Sequence, residues 1–360
     1  MPSVADGTRI ERLQDLLREA GHVAMFVSDL VNVRYLTGFT GSNGAVVVMT
    51  QHDPVFLTDG RYRDQAAAEL AAAGLGEVEI VVTRDLIGVA AGRAPADLVA
   101  ETHVLDVESW QRLDRPEASG RLVERLREVK DDAEIASLRR ACEISCEALE
   151  AVLVGPLAGR TERQVARDLE WRMLDLGAED KAFDTILASG ENTAIPHHEP
   201  TDRVLQAGDL VKIDFGARVD GYHADCTRTV VIGPAADWQR EIHAAVREAQ
   251  EAGLDRLRPG VPVADSNAAA RGSLERAGWL DAFTTGLGHG VGLQIHEDPF
   301  IASAHPGRLA SRTVLTMEPG IYLPGRGGVR IEDTVLVTDP EHGGEPDVLT
   351  DMTKELLEID

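Results

Sequence analysis

Two aspartates lie close together in KIDFGARVDGYHADCTRT, residues 212–229, and the turn between them fixes their geometry. Asp220-Gly221 is typical of a two-residue type I′ hairpin turn, because both positions of that turn need positive φ. If these two residues form the loop, paired residues have numbers that sum to 441. The partner of Asp225 is then the residue two positions after Asp214, so both aspartates project from one face of the hairpin, roughly 7–8 Å apart.

Two carboxylates at that spacing can hold two cations about 3.5–4 Å apart. The remaining side chains of the same face are polar, whereas the opposite face is apolar and includes Cys226. A thiolate ligand from Cys226 is therefore disfavoured. The alternative is an ordinary half-exposed sheet with solvated acids, and the hairpin alone does not decide between the two.

Two histidines follow in GLGHGVGLQIHEDP, residues 286–299, with glycines on both sides of His289 and His296 seven positions later. Flanking glycines allow other groups to approach a side chain closely, as a ligand site requires. The alternative for such a histidine is a hydrogen-bonded structural role.

Further acids end or occupy two strand-like segments. Glu318 ends the apolar run of TVLTMEPGIYL, directly before Pro-Gly. GGVRIEDTVLVT reads as one strand with Arg330 and Glu332 on the same face and Asp333 as a strand-edge acid at the apolar margin.

These observations collect four carboxylates and one imidazole: Asp214, Asp225, Glu318, Glu332 and His289. Such an oxygen-rich set suits Mn²⁺, Co²⁺ or Zn²⁺ in a dinuclear site. Two divalent ions would balance four carboxylates, which would otherwise repel each other strongly. A metal site is the preferred interpretation.

The elements that must position these residues differ between the two parts of the chain. In the first third, RIERLQDLLREAG and DQAAAELAAAG have helical spacing, and HVAMFVS, NGAVVVM, PVFLTD, EVEIVVT and THVLDVE read as strands, which predicts an α/β domain. Residues 118–153 are almost wholly helix-forming, with a charged break at Lys130-Asp131-Asp132. We place the domain boundary there, with domains at 1–127 and 128–360.

The second domain is predicted to be α+β. Helical patterns at 161–178, 237–258 and 263–279 alternate with strand candidates joined by Gly and Pro turns. This pattern indicates an antiparallel sheet with helices on one face.

Composition excludes several function classes. The 360 residues carry 61 acidic and 36 basic side chains, a formal net charge of -25, which argues against binding to nucleic acid or to an anionic membrane surface. Three cysteines without a CxxC pair argue against a disulfide framework. No segment resembles a signal peptide or reaches membrane-spanning length, so we expect a cytoplasmic protein.

The order DFG…D.TRT, GHGVGL…HE, MEPG and RIED resembles the creatinase/aminopeptidase P/prolidase family, which has the pita-bread fold. NVRYLTGFTGSNGAVVV and TDGRYRDQA resemble its smaller N-terminal domain, so the likeness covers nearly the whole chain. The resemblance implies five ligands for two divalent metal ions, with Mn²⁺ preferred: Asp214, Asp225, His289, Glu318 and Glu332.

The resemblance also implies active-site roles beyond the metal ligands. In SGENTAIPHHEPTDR, His197 takes the position of a substrate-contacting histidine, with His198 as its neighbour. His296 matches the second active-site histidine, and Arg330 matches the arginine beside the last glutamate. Many relatives have a histidine four residues before the ligand histidine, where it helps to shape the substrate pocket, and this chain has Thr285 there.

The activity implied is hydrolysis of the N-terminal Xaa-Pro bond of short proline-containing peptides, as aminopeptidase P or Xaa-Pro dipeptidase, by a hydroxide that bridges two metals. A homodimer is also implied. Glu318 would accept the proton of the nucleophile, and His197, His296 and Arg330 would bind substrate or orient the carboxylates. The alternatives are a metal-free creatinase-type hydrolase or a catalytically dead binding protein on the same fold. Methionine aminopeptidase fits the ligands but not the N-terminal domain.

Overall fold

The computed structural model describes residues 5–93, 95, 97–339, 341 and 344–360. The chain divides into two compact units, Met1–Arg127 and Glu128–Asp360. No helix within the described residues is long and apolar enough to cross a bilayer.

The first unit contains a mixed sheet flanked by helices. Its helices are α1 (Thr8–Ala20), α2 (Leu30–Thr37), α3 (Arg63–Ala72), α4 (Leu86–Arg93), α5 (Val107–Arg112) and α6 (Leu122–Glu128), the last of which ends at the first residue of the second unit. Its strands are β1 (Ala24–Val27), β2 (Gly44–Met49), β3 (Val55–Thr58), β4 (Glu79–Val82), β5 (Leu98–Ala100) and β6 (Glu117–Ala118). Among the described residues the sheet order is β4-β3-β2-β1-β5-β6, with β2 antiparallel to both neighbours and the other pairs parallel.

One strand of this unit was predicted wrongly. The segment THVLDVE, residues 102–108, forms a turn and the start of a helix, while the strand lies earlier, at Leu98–Ala100. The Asp106 carboxylate accepts a hydrogen bond from the Ser109 amide 2.7 Å away and caps α5. An N-cap of this kind starts a helix at the point where the apolar pattern suggested continued extension.

The second unit combines four longer helices with short sheets. Its helices are α7 (Asp132–Leu153), α8 (Glu162–Asp175), α9 (Asp237–Leu254) and α10 (Val263–Arg276). Its strands are β7 (Asp180–Lys181), β8 (Ile186–Ser189), β9 (Leu210–Phe215), β10 (Ala217–Val219), β11 (Tyr222–His223), β12 (Cys226–Ile232), β13 (Val314–Met317), β14 (Gly320–Leu323), β15 (Gly327–Arg330), β16 (Asp333–Leu336), β17 (Asp347–Val348) and β18 (Glu358–Ile359).

Antiparallel pairing dominates the second unit. Within the described chain the sheet orders are β11-β10-β7, β18-β12-β9-β8, β13-β16-β17 and β14-β15, and β12 with β18 is a parallel pair. An apolar core formed by α9, α10 and the strands β13 to β16 includes Ile242, Leu274 and Met317, all fully buried. The break predicted near residue 130 is real, because Asp131 and Glu134 form a reciprocal capping box at the start of α7.

The hairpin with the two aspartates has the predicted register. Val219 pairs with Tyr222 and Thr227 pairs with Asp214, so both pairs sum to 441. Asp220 and Gly221 have φ of 51° and 84°, as a type I′ turn requires. The interpretation of a half-exposed polar face was wrong, since Lys212 and Thr229 on that face are 0% and 2% exposed. The part of the polar face around the two aspartates is interior, whereas Arg218 and His223 beside the turn are partly exposed.

The segment GGVRIEDTVLVT is not one strand. β15 pairs with β14, whereas β16 pairs with β13 and β17, so the chain passes from one sheet to another at Ile331–Glu332. Asp333 is fully buried rather than a strand-edge acid, and its Oδ1 lies 2.7 Å from Nη2 of Arg228. This buried ion pair also explains the charged Arg228 on the otherwise apolar face of the hairpin.

Candidate metal centre

A cavity of about 500 Å³ opens in the second unit above the polar face of the hairpin. Its lining contains all five residues that the family resemblance implies as metal ligands: Asp214, Asp225, His289, Glu318 and Glu332. His197, His296 and Arg330 line the same cavity, so the structure brings together every residue that the sequence singled out for chemistry.

Three of the five side chains converge on one point. One ligand atom from each of Asp225, His289 and Glu332 lies within 4.8 Å of the other two, and all three residues are buried. His289 Nε2 is 3.5 Å from Asp225 Oδ2 and 3.5 Å from Glu318 Oε1, so Glu318 joins the group through the imidazole. Asp214 completes the set from β9, and its carboxylate forms an ion pair with Arg330.

The loop that carries His289 depends on its two flanking glycines. A Cβ on Gly288 would lie 2.1 Å from the Thr316 carbonyl oxygen, and one on Gly290 would lie 2.3 Å from that of Asp298. Close packing lets the Thr316 amide donate to the His289 carbonyl at 2.8 Å. The glycines therefore fix the imidazole against β13, which ends directly before Glu318.

The hydrogen bonds of His289 leave one ring nitrogen for a ligand. Nδ1 lies 3.0 Å from the Gly290 carbonyl oxygen, an acceptor that requires a proton on Nδ1. The lone pair of Nε2 then points toward the carboxylates. This is the tautomer that a metal-binding histidine needs.

Each carboxylate at the far side of the cavity is held by a defined donor. Thr227 Oγ1 donates to Glu332 Oε2 at 2.6 Å, and Arg330 pairs with Asp214 Oδ2. Arg330 also donates to Thr227 Oγ1 at 3.1 Å and to the Tyr322 hydroxyl at 2.9 Å. The other oxygen of Asp214, Oδ1, is buried and has no hydrogen-bond partner within the described chain.

The electrostatics of the group fit a cation. Burial raises the pKa of Asp225 and of Glu332 well above the usual range, and the neighbouring carboxylates raise both further. Burial raises the pKa of Glu318 to about 7 and lowers that of His289 to about 4. An oxygen-rich set with an unpartnered Asp214 oxygen, mutually repelling acids and a neutral imidazole is a site that divalent cations would stabilise.

The two adjacent histidines of the PHH segment have different surroundings. Both line the cavity, but His197 is exposed, whereas His198 is buried with Nε2 2.8 Å from Glu162 Oε2. The His296 ring lies edge-on to His289 with ring centroids 4.4 Å apart, and burial together with His197 lowers its pKa. Thr285 lines the same cavity, at the position where many relatives have histidine.

Two side chains near the site carry more contacts than the sequence suggested. Tyr322 connects to the carboxylates through Arg330, and Lys212 is fully buried behind the segment that carries His197. The sequence could have indicated a special role for Lys212, because this lysine lies in the middle of an apolar strand. Nothing in the pattern of MEPGIYL distinguishes Tyr322 from a core aromatic.

Comparisons with known proteins agree with this geometry. Residues 136–339 match the family described as metallopeptidase family M24, and residues 9–139 match the Creatinase/Prolidase N-terminal domain. The chain is 34% identical to an Xaa-Pro dipeptidase of Pyrococcus furiosus over 355 residues, which cover 97% of this chain and 99% of the relative.

Solved structures give the same result. An Xaa-Pro dipeptidase from Bacillus anthracis superposes with a TM-score of 0.90 at 34% identity, covering 98% of this chain and 99% of the other. An X-Pro aminopeptidase from Thermotoga maritima superposes with a TM-score of 0.86 at 33% identity, covering 97% and 99%. The chain therefore belongs to metallopeptidase family M24, with a creatinase-type N-terminal domain followed by a pita-bread unit.

Proposed function

We propose that this chain is a metal-dependent exopeptidase that hydrolyses the Xaa-Pro bond at the N-terminus of short peptides. The observation that carries the proposal is the group of four carboxylates and His289 on the wall of one cavity that also holds His197 and His296. The names of the relatives support the choice of the Xaa-Pro bond, and dipeptidases are prominent among them.

We assign two divalent cations to the site, with Mn²⁺ preferred and Co²⁺ or Zn²⁺ as alternatives, held by the following ligands: Asp214, Asp225, His289, Glu318 and Glu332. When bound, the cations supply an acidified water as nucleophile and polarise the scissile carbonyl. We further expect a cytoplasmic homodimer.

Glu318 is our candidate for proton transfer. Its carboxylate lies within the ligand group, with Oε1 3.5 Å from Nε2 of His289. A carboxylate held in this way can accept a proton and return it. Its side chain is 19% exposed, so it reaches the cavity. Glu318 would accept the proton of the nucleophile and pass it toward the leaving proline nitrogen.

His197 and His296 would bind the reacting part of the peptide. Both line the cavity, and their rings are open to a ligand. Each offers a ring N–H to the oxyanion that develops at the scissile carbonyl or to the proline end of the substrate. Arg330 would orient Asp214, because its guanidinium is buried and anchored at Asp214, Thr227 and Tyr322.

A non-peptidase of the same fold is the second candidate. In a metal-free hydrolase or a binding protein with an inactive site, ligand residues would be expected to be lost. All five acidic and imidazole side chains are present here and line one cavity. The peptidase is the better supported function.

The test compares Xaa-Pro dipeptides with Xaa-Pro-Xaa tripeptides before and after chelation, with Mn²⁺ added back and products identified. We expect cleavage before proline that is lost on chelation and restored by Mn²⁺. Cleavage of dipeptides alone indicates a dipeptidase, and release of the first residue from tripeptides indicates aminopeptidase P. Failure to cleave either peptide with Mn²⁺, Co²⁺ or Zn²⁺ would contradict the proposal.

A further inference from the structure

Lys212 is a fully buried lysine in β9, between Ala188 of β8 and Thr229 of β12. Its Nζ lies within hydrogen-bond distance of three backbone carbonyl oxygens: 2.7 Å from Ile195, 3.2 Å from Pro196 and 3.3 Å from Thr193. The three acceptors belong to one short segment, which precedes His197. Lys212 therefore binds a loop rather than a single side chain.

In the described chain, the side-chain amine of Lys212 forms its hydrogen bonds with this loop. No carboxylate pairs with Lys212 in the described part of the chain, and a buried amine is costly unless its donors are satisfied. The three carbonyl oxygens match the three N–H donors of a lysine ammonium group, and a neutral amine would still have two. In either protonation state the amine donates to at least two of the carbonyl oxygens.

The same loop is held from two further directions. Arg330 Nη1 donates to the Pro196 carbonyl oxygen at 3.2 Å, beside the Lys212 contact. On the other side of His197, His198 contacts Glu162 at 2.8 Å. Within the described residues His197 makes no hydrogen bond of its own and lines the cavity, so its position depends on the anchors of its neighbours.

We propose that Lys212 is a positioning residue, which fixes the carbonyl groups of Ile195 and Pro196 and so holds His197 at the substrate cavity. This inference rests on the proposed function, in which His197 contacts the substrate. It adds a residue that acts through the loop and touches neither the cations nor the substrate.

A double-mutant cycle tests the inference. Lys212→Met keeps the apolar stem but removes all three donors, and a displaced catalytic contact of about 1 Å costs up to about 100-fold in rate. We expect Lys212→Met to lower kcat/KM by about tenfold to 100-fold, mostly in kcat, with unchanged metal content by elemental analysis. In a His197→Ala background the same substitution should cost less than about threefold, because the positioned residue is absent.

Amide hydrogen exchange of the metal-free protein gives a readout that does not need activity. Lys212→Met should speed exchange in peptides covering residues 190–198 by about tenfold or more. The matched control is Lys354→Met, which removes a lysine bound to Asp333 at 2.7 Å and Gln250 at 2.9 Å, remote from this loop. The control should lower the melting temperature without changing exchange in residues 190–198 or kcat.

Equal losses from Lys212→Met with and without His197, or unchanged exchange at 190–198, would overturn the inference. If wild-type protein cleaves no Xaa-Pro peptide, the proposed function fails while the exchange comparison still decides the anchoring of the loop. If Lys212→Met does not fold, Lys212→Gln, which keeps two N–H donors on a shorter stem, enters the same cycle. It must then show the same dependence on His197, and additive losses would again contradict the inference.

Discussion

At the scale of single residues, two of the buried acids lack a basic side chain that would neutralise them within the described chain. The carboxylates of Asp225 and Glu332 have no lysine or arginine partner in the described chain, and burial and the neighbouring carboxylates raise the pKa of both. Carboxylates in this state destabilise a fold unless cations neutralise them. The parity of the hairpin predicted that Asp225 shares a face with Asp214, and the family resemblance added Glu332, but neither predicted how deeply these acids are buried.

The first prediction concerns Asp225→Asn, which preserves size and removes one charge. Metal-free Asp225→Asn should be more stable than metal-free wild type by about 1–2 kcal/mol, because one repelling charge is gone. With Mn²⁺ at 100 times its dissociation constant the order should reverse, since only wild type gains about 2.7 kcal/mol. Urea unfolding with and without Mn²⁺ measures both differences.

The control for this prediction is Asp220→Asn in the turn of the same hairpin, where asparagine also tolerates positive φ. It should change neither stability difference. An Asp225→Asn protein that keeps the full stabilisation by Mn²⁺ would contradict the assignment of Asp225 as a ligand.

The second prediction separates two neighbouring histidines. His197→Ala should lower kcat/KM by about 100-fold with an unchanged melting temperature, because the exposed ring acts on substrate. His198→Ala should lower stability by about 1–3 kcal/mol through its lost contact with Glu162. It should lower kcat/KM less than His197→Ala does, because Lys212 and Arg330 still hold the segment before His197. Steady-state kinetics and thermal unfolding of both variants test this assignment. A protein destabilised by His197→Ala and inactivated by His198→Ala would contradict it.

At the scale of elements, local signals predicted more than long-range pairing did. The hairpin register followed from Asp220-Gly221, because a two-residue turn determines the pairing of its own strands. The change of sheet at Glu332 was missed, since it depends on a bridge to Thr227, 105 residues earlier. No pattern within GGVRIEDTVLVT indicates that Thr227 is the partner.

A glycine in this hairpin gives the third prediction. A Cβ on Gly216 would lie 1.8 Å from the Ala224 carbonyl oxygen, directly beside Asp225. Gly216→Ala should therefore separate the strands, weaken Mn²⁺ binding at least about tenfold and destabilise the protein by about 1–3 kcal/mol. Gly92→Ala, in open space on α4, is the control and should be neutral or stabilising by up to about 1 kcal/mol. Equal metal affinities in Gly216→Ala and wild type would contradict this reading.

The start of α8 gives the fourth prediction. Both Glu162 oxygens accept hydrogen bonds from the segment 189–201, including those from Ser189, Asn192 and Thr201. Although burial opposes ionisation, the bonds from Thr201 and Asn192 lower the pKa of Glu162 to about 2. Because the folded-state pKa is depressed, its contribution of about 3 kcal/mol is fully present above pH 4.5 and is lost as pH falls toward 2.

The measurement for Glu162 is urea unfolding of metal-free wild type and Glu162→Gln between pH 7 and pH 3. The stability difference between the two proteins should be largest at pH 7 and should shrink below pH 4.5. A difference that is constant across this range would show that the charge of Glu162 does not stabilise the segment.

At the scale of the whole molecule, the capping box of α7 interrupts a long helical pattern, and the compact units Met1–Arg127 and Glu128–Asp360 meet in the chain just before it. The burial of the hairpin around Asp214 and Asp225 could not be predicted, since β15 and β16 pack on the hairpin from a distant part of the sequence. The formal charge of -25 includes the four acids of the cavity that we assign as metal ligands. Two divalent cations would neutralise those four charges.

The most direct test of the central claim is a titration of metal-stripped protein with Mn²⁺, in which bound metal and hydrolysis of an Xaa-Pro dipeptide are measured on the same samples. We expect no hydrolysis without metal, two ions bound per chain at saturation, and activity that rises with occupancy of the site. Asp225→Asn should bind fewer than two ions and remain inactive. Full activity in the stripped protein, or saturation without any hydrolysis before proline, would contradict the account.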